Sequence, residues 1–147
     1  MMRLVVSGLG LGFLPKAPGT WGSVGAAAVG CLLLPWPGAL LLAAAAASLA
    51  GFWAIPGVVP DRDADPNWVV IDEVAGQWIA MLGLGQLSWY GVAIAFAGFR
   101  LLDITKPGPI GWADRQPGAF GIMADDMLAG LAVAAGLIGL RLLGVAL

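Results

Sequence analysis

The sequence contains no histidine and a single cysteine, and these two absences exclude several kinds of chemistry. Without histidine there is no Ser-His or Cys-His pair, no histidine general base and no histidine metal ligand. One cysteine cannot form an internal disulfide or a cysteine zinc site. Cys31 lies in an apolar run, which favours burial as a small hydrophobic residue rather than a reactive role.

Charge is also scarce. Charged residues make up 11% of the 147 residues, whereas hydrophobic residues make up 60%. A typical soluble domain has about 25% charged residues, so we expect lipid to solvate much of the exterior of this protein. No basic tract indicates a nucleic-acid partner. The length predicts a single domain over residues 1–147.

Five apolar segments follow a glycine-rich N-terminal region and predict an all-α fold, a polytopic integral membrane helical bundle. The segments cover about 22–34, 38–59, 74–87, 88–102 and 122–147. As helices, 22–34 and 74–87 would reach only about 20 Å, against ~30 Å for the hydrocarbon core. We therefore predict four to five membrane segments, two of them short, with a re-entrant or interfacial N-terminal segment. Whether the two short segments span fully is left open.

The charges are distributed unequally if every segment crosses the membrane. Fourteen of the sixteen charged residues then lie on one side, including five of the seven basic residues. The positive-inside rule predicts that this side faces the cytoplasm. The opposite side carries Trp36, Trp89 and Tyr90, as expected for an aromatic belt.

Five carboxylates stand at the ends of apolar segments on the charged side. Asp72 and Glu73 precede the third segment, Asp103 closes the fourth, and Asp125 and Asp126 open the fifth. Acids are favoured at a helix N-terminus, which would explain Asp72 or Asp125 alone but not Asp103 at a C-terminal end. Five like charges at one depth would raise one another's pKa values, and Mg²⁺ would remove that cost.

Basic residues near these acids are candidates for binding phosphate oxygens. Arg100 lies one turn before Asp103, where its planar fork could hold two oxygens, although an arginine near a helix end also snorkels to the interface. Lys106 stands on a proline-bearing turn at the same level. The glycine-rich N-terminal region, with Lys16 and Thr20, ends at a helix start that could bind an anion. Simple ion pairs of Asp103 with Arg100 or Lys106 are the alternative interpretation.

Alternating acids at positions 61, 63 and 65 have the spacing of an EF-hand loop. However, Pro66 replaces the required glycine, and no amphipathic helix pair flanks the loop. We therefore assign Asp61 and Asp63 no role.

Five blocks of sequence, in this order, resemble the phosphatidylglycerophosphatase A family of bacterial membranes. They are GLGFLP at 10–15, PGTWGS at 18–23, VIDEVAGQ at 70–77, FRLLDITKPGPI at 99–110 and GIMADDMLAG at 121–130. The ordered set covers most of residues 8–130. The resemblance implies Mg²⁺-dependent removal of the terminal phosphate from the phospholipid phosphatidylglycerophosphate, giving phosphatidylglycerol. It also implies a multi-pass protein of the bacterial inner membrane with its site facing the cytoplasm.

The resemblance extends to the residues already singled out by charge. The expected metal ligands, for one or two Mg²⁺ ions, are Asp72, Glu73, Asp103, Asp125 and Asp126. The expected catalytic residues are Asp72, Asp103 and Asp126, and the expected substrate-binding residues are Lys16, Thr20, Arg100 and Lys106. Attack by water and attack by a carboxylate both stay open. The alternative function is a small membrane transport or cation-binding protein using the same acids, which would place polar residues deep in the spans.

Overall fold

The computed structural model describes residues 1–60 and 66–147, and these residues form seven α-helices, two 3-10 turns and no strand. The helices are α1 (Met2–Val6), α2 (Pro18–Leu33), α3 (Pro37–Ala54), α4 (Ile71–Met81), α5 (Trp89–Thr105), α6 (Pro109–Asp114) and α7 (Gly118–Leu142). The 3-10 turns are Leu11–Phe13 and Ile55–Gly57. The predicted all-helical class is confirmed for this part of the chain. The alternating acids at 61, 63 and 65 lie outside the described residues.

Helix α4 lies at the centre of the bundle, in contact with α2, α3, α5 and α7. Nine of its eleven residues are buried. Its closest neighbour is α7, because a Cβ added at Gly130 would lie 2.4 Å from the carbonyl oxygen of Gly76. A Cβ at Gly76 would in turn lie 2.7 Å from the carbonyl oxygen of Asp126. The two backbones therefore touch, and this contact fixes the acids of α4 relative to those of α7.

Two stretches are long and apolar enough to cross a membrane, namely Pro37–Gly57, which is α3 with the 3-10 turn after it, and Gly118–Leu142, which is α7. The eleven residues of α4 span only about 16 Å and the seventeen of α5 about 25 Å, at ~1.5 Å per residue. Both lengths fall short of the ~30 Å hydrocarbon core. The predicted count of four to five membrane segments is therefore not confirmed.

The third apolar segment, predicted over 74–87, is a helix only from Ile71 to Met81. Beyond Met81 the chain passes close to α7, where a Cβ on Gly83 would lie 2.7 Å from the carbonyl oxygen of Ala134. Arg141 Nη1 donates a hydrogen bond of 3.3 Å to the Gly83 carbonyl oxygen. Packing against α7 thus ends the helix earlier than the hydrophobicity of the segment indicates.

The polar stretch 105–121, between the fourth and fifth predicted apolar segments, contains the short helix α6. Lys106 and Gly108 have φ values of 45° and 51°, which reverse the chain after α5, and Pro109 then starts α6. Helix α7 begins at Gly118, so Asp125 and Asp126 lie about two turns inside it. The prediction that they open the fifth segment was wrong. Helix-dipole stabilisation, which is confined to the first turn, does not account for either acid.

Candidate functional site

A polar cavity of about 410 Å³ lies where four helices meet. It is bounded by the starts of α2 and α4, the end of α5, and α7 two turns from its start. The described polar residues that line it are Asn67, Asp72, Glu73, Arg100, Asp103, Lys106, Asp125 and Asp126. All five carboxylates singled out in the sequence are thus together, and we call them the acidic cluster.

The acidic cluster is largely withdrawn from the surface. Asp126 is 2% exposed, Asp125 4% and Asp72 8%, while the side chains of Glu73 and Asp103 are 14% and 13% exposed. Carboxylate oxygens converge in two groups in which the atoms lie within 4.8 Å of one another, namely Asp72 with Glu73 and Asp126, and Asp103 with Asp125 and Asp126. Asp126 belongs to both groups, so it stands at the middle of the cluster.

Arg100 enters the cavity from the last turns of α5. Its Nη1 lies 2.6 Å from Asp103 Oδ2, at the i,i+3 spacing, and 3.8 Å from Glu73 Oε1. The same Nη1 donates to Ser23 Oγ at 3.5 Å, and the Ser23 hydroxyl donates to the Gly19 carbonyl oxygen at 2.9 Å. The ion pair considered as the alternative for Asp103 is therefore present. Arg100 also joins α2, α4 and α5 at the cavity.

Lys106 follows the last residue of α5 in the left-handed region, at φ 45°. Its Nζ lies 2.7 Å from Asp125 Oδ2 and also contacts Asp114 of α6. Burial lowers the pKa of Lys106, but the hydrogen bonds from its ammonium to Asp114 and Asp125 outweigh that effect, and the pKa lies above its usual range. Lys106 is therefore a permanent cation that ties α6 to α7.

The charges of the cavity do not balance. Among its described lining residues five are acidic and two are basic. Burial raises the pKa of Glu73 above its usual value, and the nearby Asp103 carboxylate adds to that effect. Glu73 Oε2 and Asp125 Oδ1 are buried without a hydrogen-bond partner among the described residues. Buried oxygens of this kind in an all-carboxylate set suit a hard divalent cation such as Mg²⁺.

The start of α2 forms part of the cavity wall. Ala17, Pro18 and Gly19 line it, and a Cβ on Gly19 would lie 2.0 Å from Glu73 Oε1. Gly19 is the second residue of α2, and the first N–H groups of a helix have no intrahelical partner. The backbone of the predicted anion-binding turn therefore lies next to the acidic cluster.

Lys16 and Thr20, predicted to bind substrate, do not line this cavity. Lys16 is exposed and Thr20 half-buried. Three other residues were not assigned a place in the site from the sequence: Asn67 lines the cavity, Asp114 pairs with Lys106, and Gln77 is fully buried with no hydrogen-bond partner for its amide among the described residues. Gln77 lies one turn after Glu73, and a polar residue within an apolar helix is the signal that could have drawn attention to it.

Comparison with known proteins gives consistent results. The family model of phosphatidylglycerophosphatase A matches residues 4–141. A Haemophilus influenzae protein named phosphatidylglycerophosphatase A is 37% identical over 88% of this chain and 82% of its own length. The Escherichia coli protein of the same name is 37% identical over 92% of this chain and 80% of its own length.

A third relative, from Bacteroides thetaiotaomicron, is provisionally named a phosphatidylinositol-3-phosphatase and is 39% identical over 87% of this chain and 86% of its own length. No solved structure matches the chain. The names of these relatives all describe phospholipid phosphatases, although they differ in the headgroup. The extent of the family match and of these identities shows that the chain belongs to the phosphatidylglycerophosphatase A family.

Proposed function

We propose that this protein removes the terminal phosphate from phosphatidylglycerophosphate, giving phosphatidylglycerol, in a reaction that depends on Mg²⁺. The observation that carries the proposal is the convergence of five carboxylates, three of them buried and two partly buried, and two cations on one cavity in a member of this family. Two stretches long and apolar enough to cross a membrane support a membrane-embedded enzyme acting on a lipid. We further propose that the cavity faces the cytoplasm of a bacterial inner membrane.

The acidic cluster would hold the metal. Asp126 belongs to both groups of converging oxygens, so it could serve two ions, with Asp72 and Glu73 on one side and Asp103 and Asp125 on the other. A bound Mg²⁺ would polarise the phosphoryl group and lower the pKa of a water molecule beside it. The unpartnered Glu73 Oε2 and Asp125 Oδ1 are available as ligands without breaking a hydrogen bond to a described residue.

The chain's own groups would orient the phosphate and manage the proton. Arg100 has a buried Nε with no hydrogen-bond partner among the described residues, so it can donate to a phosphate oxygen while Nη1 stays with Asp103. The backbone N–H of Gly19 would add a donor from the start of α2. A carboxylate oxygen of the cluster that is not bound to the metal would take the proton of the attacking water, and Asp72, Asp103 and Asp126 are our candidates to supply it.

Lys106 is held between Asp114 and Asp125, and we propose that it orients Asp125 and stabilises charge on the departing phosphate. Lys16 and Thr20 do not line the cavity, so the proposal gives the phosphate contacts to Arg100, Lys106 and Gly19 instead. The transport alternative is not favoured, because the family and the names of the relatives are those of phosphatases.

This proposal is tested by measuring the inorganic phosphate that the purified protein releases from lipid substrates in detergent. Dioleoyl phosphatidylglycerophosphate, phosphatidylinositol 3-phosphate and phosphatidic acid would be supplied at equal mole fraction, each with Mg²⁺ and with EDTA. We expect release from phosphatidylglycerophosphate with Mg²⁺ and none with EDTA. Preferential release from phosphatidylinositol 3-phosphate would mean that this lipid, and not phosphatidylglycerophosphate, is the preferred substrate. Release unaffected by EDTA would mean that the reaction does not depend on Mg²⁺.

A further inference from the structure

A second cavity, of about 530 Å³, lies beside the acidic one and has a different character. Its lining consists of Leu102 at the end of α5, residues 107–110 at the turn into α6, and Leu128, Leu131 and Ala132 of α7. None of the charged side chains that the structure describes contributes to this lining. We call it the apolar groove.

The apolar groove adjoins the polar cavity, because neighbouring residues of the chain line the two. Asp103 and Lys106 line the polar cavity, while their immediate neighbours in the chain, Leu102 and Pro107, line the groove. On α7 the change from polar to apolar takes one turn, from position 125 to position 128. A molecule with a charged end and an apolar end could therefore occupy both.

In a membrane crossed by α7, the groove would lie at the depth of an acyl chain. Helix α7 is long and apolar enough to cross a membrane, and the groove extends along it from Leu128, one turn beyond the acids, to Ala132, a distance of about 6 Å along the helix axis. Leu131 is 54% exposed and Ala132 is also exposed, so this wall is open toward surrounding lipid. A phospholipid changes from headgroup to hydrocarbon over a similar distance.

We propose that the apolar groove binds one acyl chain of the phospholipid substrate while the phosphate occupies the polar cavity. This inference rests on the proposed function and adds the means by which a lipid is positioned for it. In a bilayer the chain does not leave water on binding, so the benefit comes from packing and from orientation of the phosphate. The enzyme would therefore prefer an acylated substrate to the same headgroup without chains.

Filling the groove tests the inference. Ala132→Trp places a large side chain in the groove on an exposed face of α7, and Ala135→Trp makes the same change at an exposed position of that helix that does not line the groove. Phosphate release would be measured from dioleoyl phosphatidylglycerophosphate and from its deacylated, water-soluble headgroup in the same detergent. We expect Ala132→Trp to lower kcat/KM by about tenfold for the lipid and leave the headgroup unchanged, because only the lipid loses its orientation. Ala135→Trp should match the wild type on both.

An equal loss on the two substrates would show that Ala132→Trp disturbs the polar cavity, and would overturn the inference. So would wild-type kinetics on the lipid. If the wild type releases phosphate from neither substrate, the proposed function fails. Whether the groove binds an acyl chain is then tested by a measurement that needs no turnover.

That measurement is photolabelling with phosphatidylglycerophosphate carrying a diazirine on one acyl chain. We expect label on the peptide that contains residues 128–132 in the wild type and in Ala135→Trp, and its loss in Ala132→Trp. Excess unlabelled phosphatidylglycerophosphate should compete, and excess phosphatidylcholine should not. Equal competition by phosphatidylcholine would mean that bulk lipid fills the groove, contrary to the inference.

Discussion

At the scale of single residues, Gly19 has little room beside the acidic cluster. A Cβ at this position would lie 2.0 Å from Glu73 Oε1 and 3.4 Å from Arg100 Nη1. Gly19→Ala must therefore displace Glu73 and the arginine that neighbours it. We expect kcat/KM to fall by about tenfold or more, because small displacements of catalytic groups are costly. Phosphate release by purified protein measures the effect.

Gly38→Ala is the matched control for this change. Gly38 also lies in the first turn of a helix, α3, and a Cβ there has no neighbour within 4 Å in the part of the chain that the structure describes. Its kinetics should equal those of the wild type. Full activity in Gly19→Ala would mean that Glu73 can move without consequence, and would argue against its role at the metal.

The charged residues of the site can be predicted from the sequence, because charge is rare in this chain. Buried carboxylates are costly in an apolar chain, so Asp103 and the acid pairs of α4 and α7 stand out from the amino-acid pattern alone. Lys16 was predicted to bind phosphate because it is a cation close to a helix start, and it does not line the cavity, since it lies in a turn at φ 61° with its side chain exposed. Which loop side chains turn inward depends on tertiary packing, which charge does not encode.

At the scale of helices, the crossing of α4 and α7 fixes the acids of one helix relative to those of the other. Gly130→Ala would place a Cβ 2.4 Å from the carbonyl oxygen of Gly76 and force the two backbones apart. Overpacking of this kind costs about 1–3 kcal/mol, which exceeds the ~1 kcal/mol that alanine gains over glycine in a helix. We expect a lower unfolding temperature in detergent together with reduced phosphate release.

Gly136→Ala provides the comparison for Gly130→Ala on the same helix. A Cβ at Gly136 meets no described residue within 4 Å, so helix propensity alone should act there, and the unfolding temperature should stay level or rise. A Gly130→Ala protein as stable as Gly136→Ala would contradict close packing of α4 on α7.

Helix boundaries were less predictable than helix existence. Five apolar segments in the sequence correspond to α2, α3, α4, α5 and α7, but the third ends at Met81 because the chain then packs on α7. Helix α6 was missed because six residues bounded by prolines and glycines carry no measurable hydrophobic period. The early start of α7 at Gly118 was hidden for the same reason, and it moved Asp125 and Asp126 into the helix interior.

At the scale of the whole molecule, the two ends of α5 offer a test of orientation. Thr105 is the last residue of α5, near the polar cavity, and Gln86 lies just before its other end, about 25 Å away along the helix axis. Both residues are exposed. If α5 crosses the membrane with the polar cavity facing the cytoplasm, Thr105→Cys in a Cys31→Ser background should react with a membrane-impermeant maleimide only when the cytoplasmic face is accessible, and Gln86→Cys only from the opposite face.

Labelling would be compared between intact spheroplasts and inverted membrane vesicles. Reaction of both cysteines from the same side would contradict a crossing by α5. Reaction of Thr105→Cys in spheroplasts would reverse the proposed orientation of the site.

The acidic cluster is proposed to be a metal-dependent phosphatase centre. The direct test is to measure phosphate release from phosphatidylglycerophosphate by the Asp126→Asn protein as a function of Mg²⁺ concentration. Asp114→Asn is the control, because Asp114 pairs with Lys106 but does not line the cavity. We predict that Asp126→Asn folds normally and loses activity about a hundredfold or more at every Mg²⁺ concentration, whereas Asp114→Asn keeps most of it. Wild-type activity in Asp126→Asn, with an unchanged dependence on Mg²⁺, would contradict the account.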